Sequence, residues 1–519
     1  MLRGIVSNWF AMLVLGVISV ILTPILIHGL GSLYYGMWIL ASSVVDYYGL
    51  LDVGMRWTLF RFVAHLKITN QRAALNEAFV VGFVATASIA IFVIGLTAAT
   101  VTIFPRFVHM PIAQSHVFAW LLALAGLCVS VAFPTQFLSA YLRGLQRFDL
   151  YNLGLVVSGL VRAVLLTEVL RHGLGVLGVS CATVAIGVLM LLLNWWFVRR
   201  ADPELAWCRF SWRRMRELIS YGFYTFLINS GEYLRNYTDS LVIGRMLGVA
   251  LITPFSIAAR LMEYFRSIMT GIYGPLTVQL VELDGQSRHR DLQDAFLRST
   301  RITALLSCLI GFGLILNGRI LIRLWIGDAF ESSYILMLIL SVGYLVAYAQ
   351  HPCVLIAFAR ARNYRPLGWW AIVEGAANLL LSIYWARRYG LVGVALGTAV
   401  PLLVVNILVQ PWYALKALEL SAWDYLSEAV ARPAATAGLF LGLCWLAGVQ
   451  HAVSGGFHLV WRLTWQVTLF GVLAYALGLT RSDRHSISRH RFQFATLIQA
   501  QYSSTLPWAR SIIADWFLL

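Results

Sequence analysis

The stretch LINSGEYLRNYTDSLVIG, Leu227–Gly244, has the apolar frame of a membrane helix yet carries Asn229, Glu232, Arg235, Asn236 and Asp239. With Thr225 one turn earlier, the positions 225, 229, 232, 236 and 239 are spaced 4, 3, 4 and 3. That spacing collects them on one face of a helix. Arg235 stands three residues after Glu232 and four before Asp239, within ion-pair reach of both on a helix. The opposite face is Leu, Ile, Tyr and Phe. A charge at the bilayer centre costs about 2.5–3.5 kcal/mol on insertion scales, so the polar face must line a cavity or meet partners inside a bundle.

The rest of the chain supplies such a bundle. Its 519 residues are 60% hydrophobic and 12% charged, a balance foreign to soluble domains. Runs long enough to cross a bilayer recur at 8–27, 33–53, 78–104, 117–141, 150–170, 175–198, 218–244, 250–280, 299–320, 333–358, 367–386, 390–412, 432–450 and 459–479. This predicts an all-α polytopic membrane protein of about fourteen transmembrane helices, since lipid-exposed backbone must satisfy its own hydrogen bonds. A transmembrane barrel would alternate in polarity, and these runs do not. The first run is too long for a signal peptide and shows no small-residue cleavage site, so it reads as a permanent helix.

The formal net charge of +16 invites a nucleic-acid reading, which its distribution opposes. If the N-terminus is inside, 27 of the 39 Lys and Arg residues fall on inner connections and tails and 8 on outer ones, with Arg162, Arg235, Arg260 and Arg266 inside helices. This split follows the positive-inside rule and places both termini in the cytoplasm. The six cysteines show no metal-ligand spacing and read as small apolar fillers.

The chain also repeats itself. At a constant offset of 217 residues, Leu30–Gly31 returns as Leu247–Gly248, LNEAF (75–79) as LQDAF (292–296), RHGL (171–174) as RYGL (388–391), and Arg106 and Arg143 as Arg323 and Arg360. Matches of Gly, Arg and acids at one offset mark a duplication. Six helices per copy make the halves parallel, related by an axis along the membrane normal. The expected units are an N-terminal six-helix lobe (1–200), a cytoplasmic linker (201–217), a C-terminal six-helix lobe (218–415), an extra helix pair (416–480) and a cytoplasmic tail (481–519). In the linker, Trp207, Phe210 and Trp212 stand among arginines. They suit either a segment lying on anionic lipid or a solvated connection.

Other spans hold groups to match the opening stretch: Arg260, Glu263 and Arg266 in the eighth, Asp46 with Ser42 and Ser43 in the second, Arg162 in the fifth, and Glu374 with Asn378 in the eleventh. Two readings stand. These charges are buried clips between helices, or they line a water-filled cavity between lobes. In the cavity reading, Arg162, Arg235, Arg260 and Arg266, with Asn229 and Asn236, bind an anionic cargo through guanidinium forks. Glu232, Asp239, Glu263, Asp46 and Glu374 are the ion-coupling candidates, suited to H⁺ or Na⁺ or serving to balance the arginines. Asp239 approaches the outer end, where capping a turn is its other reading. Pro24, Pro134, Pro254, Pro275, Pro352 and Pro401 are candidate kinks. No P-loop, GxSxG or HExxH occurs, so no cofactor, metal or catalytic residue is expected. The outer connections are too short to hold the active site of a membrane glycosyltransferase or O-antigen polymerase, the enzyme alternative.

Two blocks carry a family resemblance: TDSLVIGRMLG (238–248) and TPILIHGLGSLYYGMWILASSVVDYYGLLDVG (23–54). They resemble the polysaccharide transporter (lipid-linked oligosaccharide flippase) family, in a superfamily that also holds multidrug and toxin extrusion carriers and lipid II flippases. The resemblance implies translocation of an undecaprenyl-pyrophosphate-linked oligosaccharide for O-antigen or exopolysaccharide export. Anionic lipids, a polysaccharide polymerase and glycosyltransferases are the implied partners. The alternative within the superfamily is a cation-coupled multidrug exporter. Against it, the first span has only Asn8, Ser19 and Thr23 where such carriers commonly hold an acid.

Overall fold

A computed structural model describes residues 2–52, 55–108, 111–360, 365–448 and 455–484. The side chain of Thr225 and the tail from residue 485 onward lie outside the described residues. Apart from the linker segment 202–211 and short turns the described chain is helical, and the described part of each expected span falls mostly on helix. The long elements are α1 (Leu2–Asp46), α2 (Met55–Ile68), α3 (Arg72–Val108), α4 (Ile112–Gly144), α5 (Phe148–Arg171), α6 (Gly175–Ala201), α7 (Trp212–Met246) and α8 (Ile252–Gly285). They continue with α9 (His289–Trp325), α10 (Ser333–Ala349), α11 (His351–Ala359), α12 (Arg365–Tyr389), α13 (Leu391–Val404) and α14 (Gln410–Leu418), then the short α15 (Ala422–Tyr425), α16 (Ala431–Leu446) and α17 (Gly456–Leu473). Single π turns join α13 to α14, join α15 to α16 and extend α17, making each a continuous rod. Eight described stretches are apolar and long enough to cross a membrane, and the bent α10–α11 pair adds a ninth. The protein is a multi-pass membrane protein. α7 and α8 fall outside that set because they carry polar groups inward.

The duplication is written into the backbone. α3 and α9 begin and end 217 residues apart, as do the starts of α5 and α12 and the ends of α6 and α14. Left-handed backbone recurs at the same offset at Gly31 and Gly248, Asn70 and Ser287, and Gly173 and Gly390. Gly31 (φ 74°) divides α1 into the two expected spans, a conformation that glycine adopts without Cβ strain. α1, α3, α4, α5 and α6 pack among themselves, and α8 to α13 with α7 do likewise. α1 and α7 also bridge the two sets. One end of the bundle carries the turns at Gly31, Gly248 and Gly327 (the glycine-turn end). The other carries the arginine-rich connections.

Four features differ from the sequence reading. Residues 55–68, read as a loop, form α2, whose Leu59, Val63 and Leu66 are buried on one stripe against α4. Of the six prolines, only Pro352 stands at a sharp break, the 41° bend between α10 and α11. Pro24, Pro134, Pro275 and Pro401 sit inside continuous helices, and Pro254 lies in the first turn of α8. The α10–α11 break is stabilised by donors to its freed carbonyls, Tyr273 to Tyr348 (2.9 Å) and Thr303 to Ala349 (3.0 Å). The linker, read as lying on anionic lipid or as a solvated connection, is anchored to the first half at its start. Asp202 receives Arg72 (2.7 Å) and Tyr141 (2.7 Å), Leu205 is buried, and Trp207 stacks into Phe79, Phe83 and Trp195. Finally, Cys181 and Cys208 are exposed, so the packing role falls to Cys308, Cys353 and Cys444.

The appended helices seat on α9. Phe440, Cys444 and Phe470 pack against Leu305 and Cys308, and Asn317 donates to Gln466 at 2.7 Å. Arg301, counted above among loop charges, is buried: it donates to Asp483 (2.8 Å) and to the Glu428 carbonyl (2.6 Å). Removing one partner of a buried pair costs about 3–5 kcal/mol because the other charge is left uncompensated. Arg301→Ala is therefore expected to lower the apparent Tm of the detergent-solubilised protein by several degrees, and adding Asp483→Asn to restore part of the loss. Unchanged melting of the single variant would contradict this clamp.

Candidate functional site

The polar face of α7 opens onto a cavity of about 1200 Å³ between the two helix sets. One wall is the second half of α1 with the short 3₁₀ turn Tyr47–Asp52. The other walls are α7, α8, α10, α12 and the α13–α14 rod. The lining runs from Trp38, Asp239 and Ser240 to Asp52, Arg143, Gln410 and Tyr413 at the arginine-rich end. Six carboxylates (Asp46, Asp52, Glu232, Asp239, Glu263, Glu374) and four guanidinium groups (Arg143, Arg235, Arg260, Arg266) face it. Asn229 and Asn236 line it as well. The polar residues of α7 at 229, 232, 236 and 239 thus line one shared cavity.

Pairing inside the cavity departs from the sequence expectation. Arg235 does not bond Glu232 or Asp239 along its own helix. Its Nη1 reaches Glu374 on α12 at 2.9 Å. The reason is close backbone packing: a Cβ on Gly231 would lie 2.4 Å from the Ala371 carbonyl carbon, so α7 and α12 approach near enough to join their side chains. Glu374 is thereby committed to a guanidinium. On α8, Glu263 sits between Arg260 (2.5 Å) and Arg266 (3.8 Å), leaving that triad with one excess positive charge.

Asp239 is not a turn cap. It is buried among α7, α12 and α13, accepting from Thr398 at 2.7 Å and from Ser382 at 3.4 Å, while Asn378 donates to Thr398 at 2.9 Å. Among the described residues no cation lies within ion-pair distance of Asp239, Asp46 or Glu232. Arg162 is the one predicted site residue outside the lining. It projects from the side of α5 opposite the exposed stripe Leu153, Leu160 and Val164, within electrostatic range of Arg260 and Cys128. Among the described residues it has no hydrogen bond or ion pair.

Sequence reasoning missed part of the lining. Thr398 and Ser382, which hold Asp239, are ordinary small polar residues in apolar spans, and only the fold brings them to α7. Tyr273, Tyr344, Tyr348 and His351 also face the cavity. They read as apolar core because nothing polar marks their face.

Between mid-bundle and the glycine-turn end the halves meet. Ser19 and Tyr264 hydroxyls are 3.0 Å apart, and those of Tyr47 and Thr238 2.6 Å. Trp325 donates to the Val20 carbonyl at 2.7 Å and Thr253 to that of Ser32 at 2.6 Å. A Cβ on Gly36 would lie 2.3 Å from the Val249 carbonyl oxygen, so only glycine permits this approach.

Residues 35–335 match the family model described as polysaccharide biosynthesis protein. Among curated relatives, a Shigella flexneri protein described as an O-antigen transporter is 20% identical over 79% of this chain and 97% of its own length. EpsK, an uncharacterised membrane protein of Bacillus subtilis (strain 168), is 24% identical over 78% and 81%. Among solved structures, lipid II flippase MurJ in an inward closed conformation aligns with a TM-score of 0.68 at 12% identity, covering 91% of this chain and 98% of that one. An inward-facing multidrug resistance MATE family transporter aligns at 0.62 and 14% identity, covering 78% and 99%. At these identities the structures establish a shared fold.

A hydrated cavity has a direct signature. In a variant with the six native cysteines replaced, Asn236→Cys and Thr270→Cys are expected to react with a membrane-impermeant maleimide applied from the arginine-rich side, whereas Leu160→Cys stays unlabelled. Failure of both cavity positions to react would show that the space is dry.

Proposed function

The chain belongs to the polysaccharide biosynthesis protein family, and on that premise we propose that it is a flippase. Its cargo is an undecaprenyl-pyrophosphate-linked oligosaccharide, moved across the bacterial cytoplasmic membrane for O-antigen or exopolysaccharide export. The observation that carries this reading is the single cavity, which exceeds the roughly 300–1,000 Å³ of ordinary ligand pockets and gathers charged groups at membrane depth. A sugar and pyrophosphate head group cannot cross hydrocarbon unaided, because each desolvated polar group costs several kcal/mol. The cavity replaces lost water with fixed partners while the polyprenyl tail stays in lipid. No bond is made or broken, so the protein acts as a carrier.

The chemistry divides among the lining groups. Arg260 and Arg266 offer forked donors to phosphate oxygens, and Glu263 keeps the pair from excess self-repulsion. Arg162, outside the lining but within electrostatic range of Arg260, adds positive potential from the facing lobe. Arg235 is held by Glu374 and sets the α7–α12 geometry. Asp239, Asp46 and Glu232, which lack a cationic partner, are the groups on which H⁺ or Na⁺ exchange couples to transport.

The arginine-rich end is cytoplasmic in this reading, so the cavity faces the leaflet where lipid-linked repeat units are assembled. Transport then requires the contacts between the halves, from mid-bundle to the glycine-turn end, to part. Four neutral hydrogen bonds hold them, together worth roughly 2–6 kcal/mol at the usual net value per bond. Inverting a 1:99 population takes about 5.5 kcal/mol, a similar size. A ligand that favours the opposite state can therefore switch the lobes.

The excess of acids over arginines in the lining favours a second reading, export of organic cations. Cells lacking the protein decide between the two. The flippase reading expects lipid-linked repeat units to accumulate out of reach of an externally added glycan-cleaving enzyme. Wild-type protein should relieve that trapping, whereas Arg260→Gln or Arg266→Gln, present at normal abundance, should not. Normal glycan export with raised sensitivity to cationic drugs would favour the second reading instead.

A further inference from the structure

The charged groups occupy only part of the cavity wall. Much of the remaining wall is aromatic. Tyr233 and Tyr237 lie one turn apart on α7 with ring centroids 5.3 Å apart, and Tyr344 and Tyr348 repeat this on α10 at 5.5 Å. Tyr273 of α8 stacks on His351, the first residue of α11, at 4.0 Å and 28°. All six line the cavity. Their number is more than packing requires, because an apolar wall of leucine would fill the same bundle without introducing hydroxyl groups.

Three polar groups on this wall are under-used. The Tyr348 hydroxyl is buried without a hydrogen-bond partner, on a residue only 8% exposed. The Gln410 carbonyl oxygen and the Arg235 Nε are likewise unpaired and belong to lining residues. A buried donor or acceptor without a partner costs about 1–3 kcal/mol. Such groups on a cavity wall await a ligand with hydroxyls. Flat rings with a polar edge, beside unpaired donors and acceptors, suit a pyranose: its C–H faces pack on the rings and its hydroxyls take the free hydrogen bonds.

Position sharpens this. Along α8, Tyr273 lies 13 residues beyond Arg260 and 7 beyond Arg266, or about 20 Å and 10 Å at 1.5 Å per residue. Tyr273 and its partner ring His351 are therefore nearer the arginine-rich end than the guanidinium pair is.

We propose that the Tyr344–Tyr348 and Tyr273–His351 ring pairs form a sugar-binding subsite, separate from the arginine locus, that holds the pyranose units of the head group while Arg260 and Arg266 hold its phosphates. This rests on the flippase reading and adds a division of labour to it. Ring stacking recognises pyranose shape more than the identity of each hydroxyl, so the subsite accepts related glycans and rejects the bare lipid carrier.

The test measures binding to the full-length protein in nanodiscs with two probes, undecaprenyl pyrophosphate and undecaprenyl pyrophosphate bearing a neutral disaccharide. Wild type is expected to bind the disaccharide probe more tightly. Tyr344→Leu and His351→Leu are each expected to weaken that probe by about tenfold, as for a lost aromatic contact, and to leave the bare carrier unaffected. Tyr344→Phe, which keeps the ring, should bind both as wild type does. Arg260→Gln should weaken both probes. Wild type binding both probes equally, or the two leucine variants binding both as wild type does, would overturn the subsite while leaving the flippase reading intact. Equal weakening of both probes by the leucine variants would overturn it too, since that marks general disturbance of the cavity. If wild type binds neither probe, the flippase reading itself fails.

Discussion

The structure depends on one constraint: an ionised side chain at membrane depth must be paired or wet. The polar face of α7 places Glu232, Arg235 and Asp239 where neither lipid nor a dry core can accept them all. Three different solutions appear within three turns of helix. Arg235 crosses to Glu374, Asp239 is held by hydroxyls from two other helices, and Glu232 faces open cavity. Among the described residues neither of these two acids, Asp239 and Glu232, has a counter-charge within ion-pair distance, and both line the space between the lobes. Apolar packing elsewhere in the bundle is generic by comparison.

Duplication turns that constraint into a machine with two ends. Two parallel copies meet along α1, α7 and α8, and their turns share backbone conformations at the 217-residue offset. The copies are not equivalent where they differ in a single bend. In the first copy, α2 breaks from the helix before it, whereas its counterpart residues simply continue α8. In the second copy, the rod matching α4 bends at Gln350–His351. These asymmetries set the shape of the cavity. The appended helices stay clear of it, latched to α9 through Arg301 and Asp483.

Much of this was legible in the sequence, for definite reasons. Fourteen apolar runs and the 3–4 spacing of polar residues in 229–239 are one-dimensional signals, and both survive in the fold. The offset of Gly31 and Gly248 marks the turns because no other residue takes that backbone conformation so cheaply. What could not be read was partnership across helices. Local spacing favoured Arg235 with Glu232, but the approach of Gly231 to Ala371 sends it to Glu374 instead. Ser382 and Thr398 acquire meaning only beside Asp239. The amphipathic stripe of α2 was obscured by its arginines, and Pro24 looked like the break that Gly31 in fact supplies. The tyrosines were hidden for the opposite reason, since an aromatic residue in an apolar helix carries no mark of the side it faces.

The central claim is that a hydrated, charge-lined passage between two lobes carries a polar head group across the bilayer. Purified protein in liposomes that hold a lipid-linked oligosaccharide in both leaflets tests it most directly. An impermeant glycan-cleaving enzyme outside then reports which molecules reach the outer leaflet. The account predicts that cleavage continues past the share initially outside in liposomes with the protein, and halts at that share in protein-free controls. Cleavage halting at the same share in both, with organic cations crossing in their place, would contradict it.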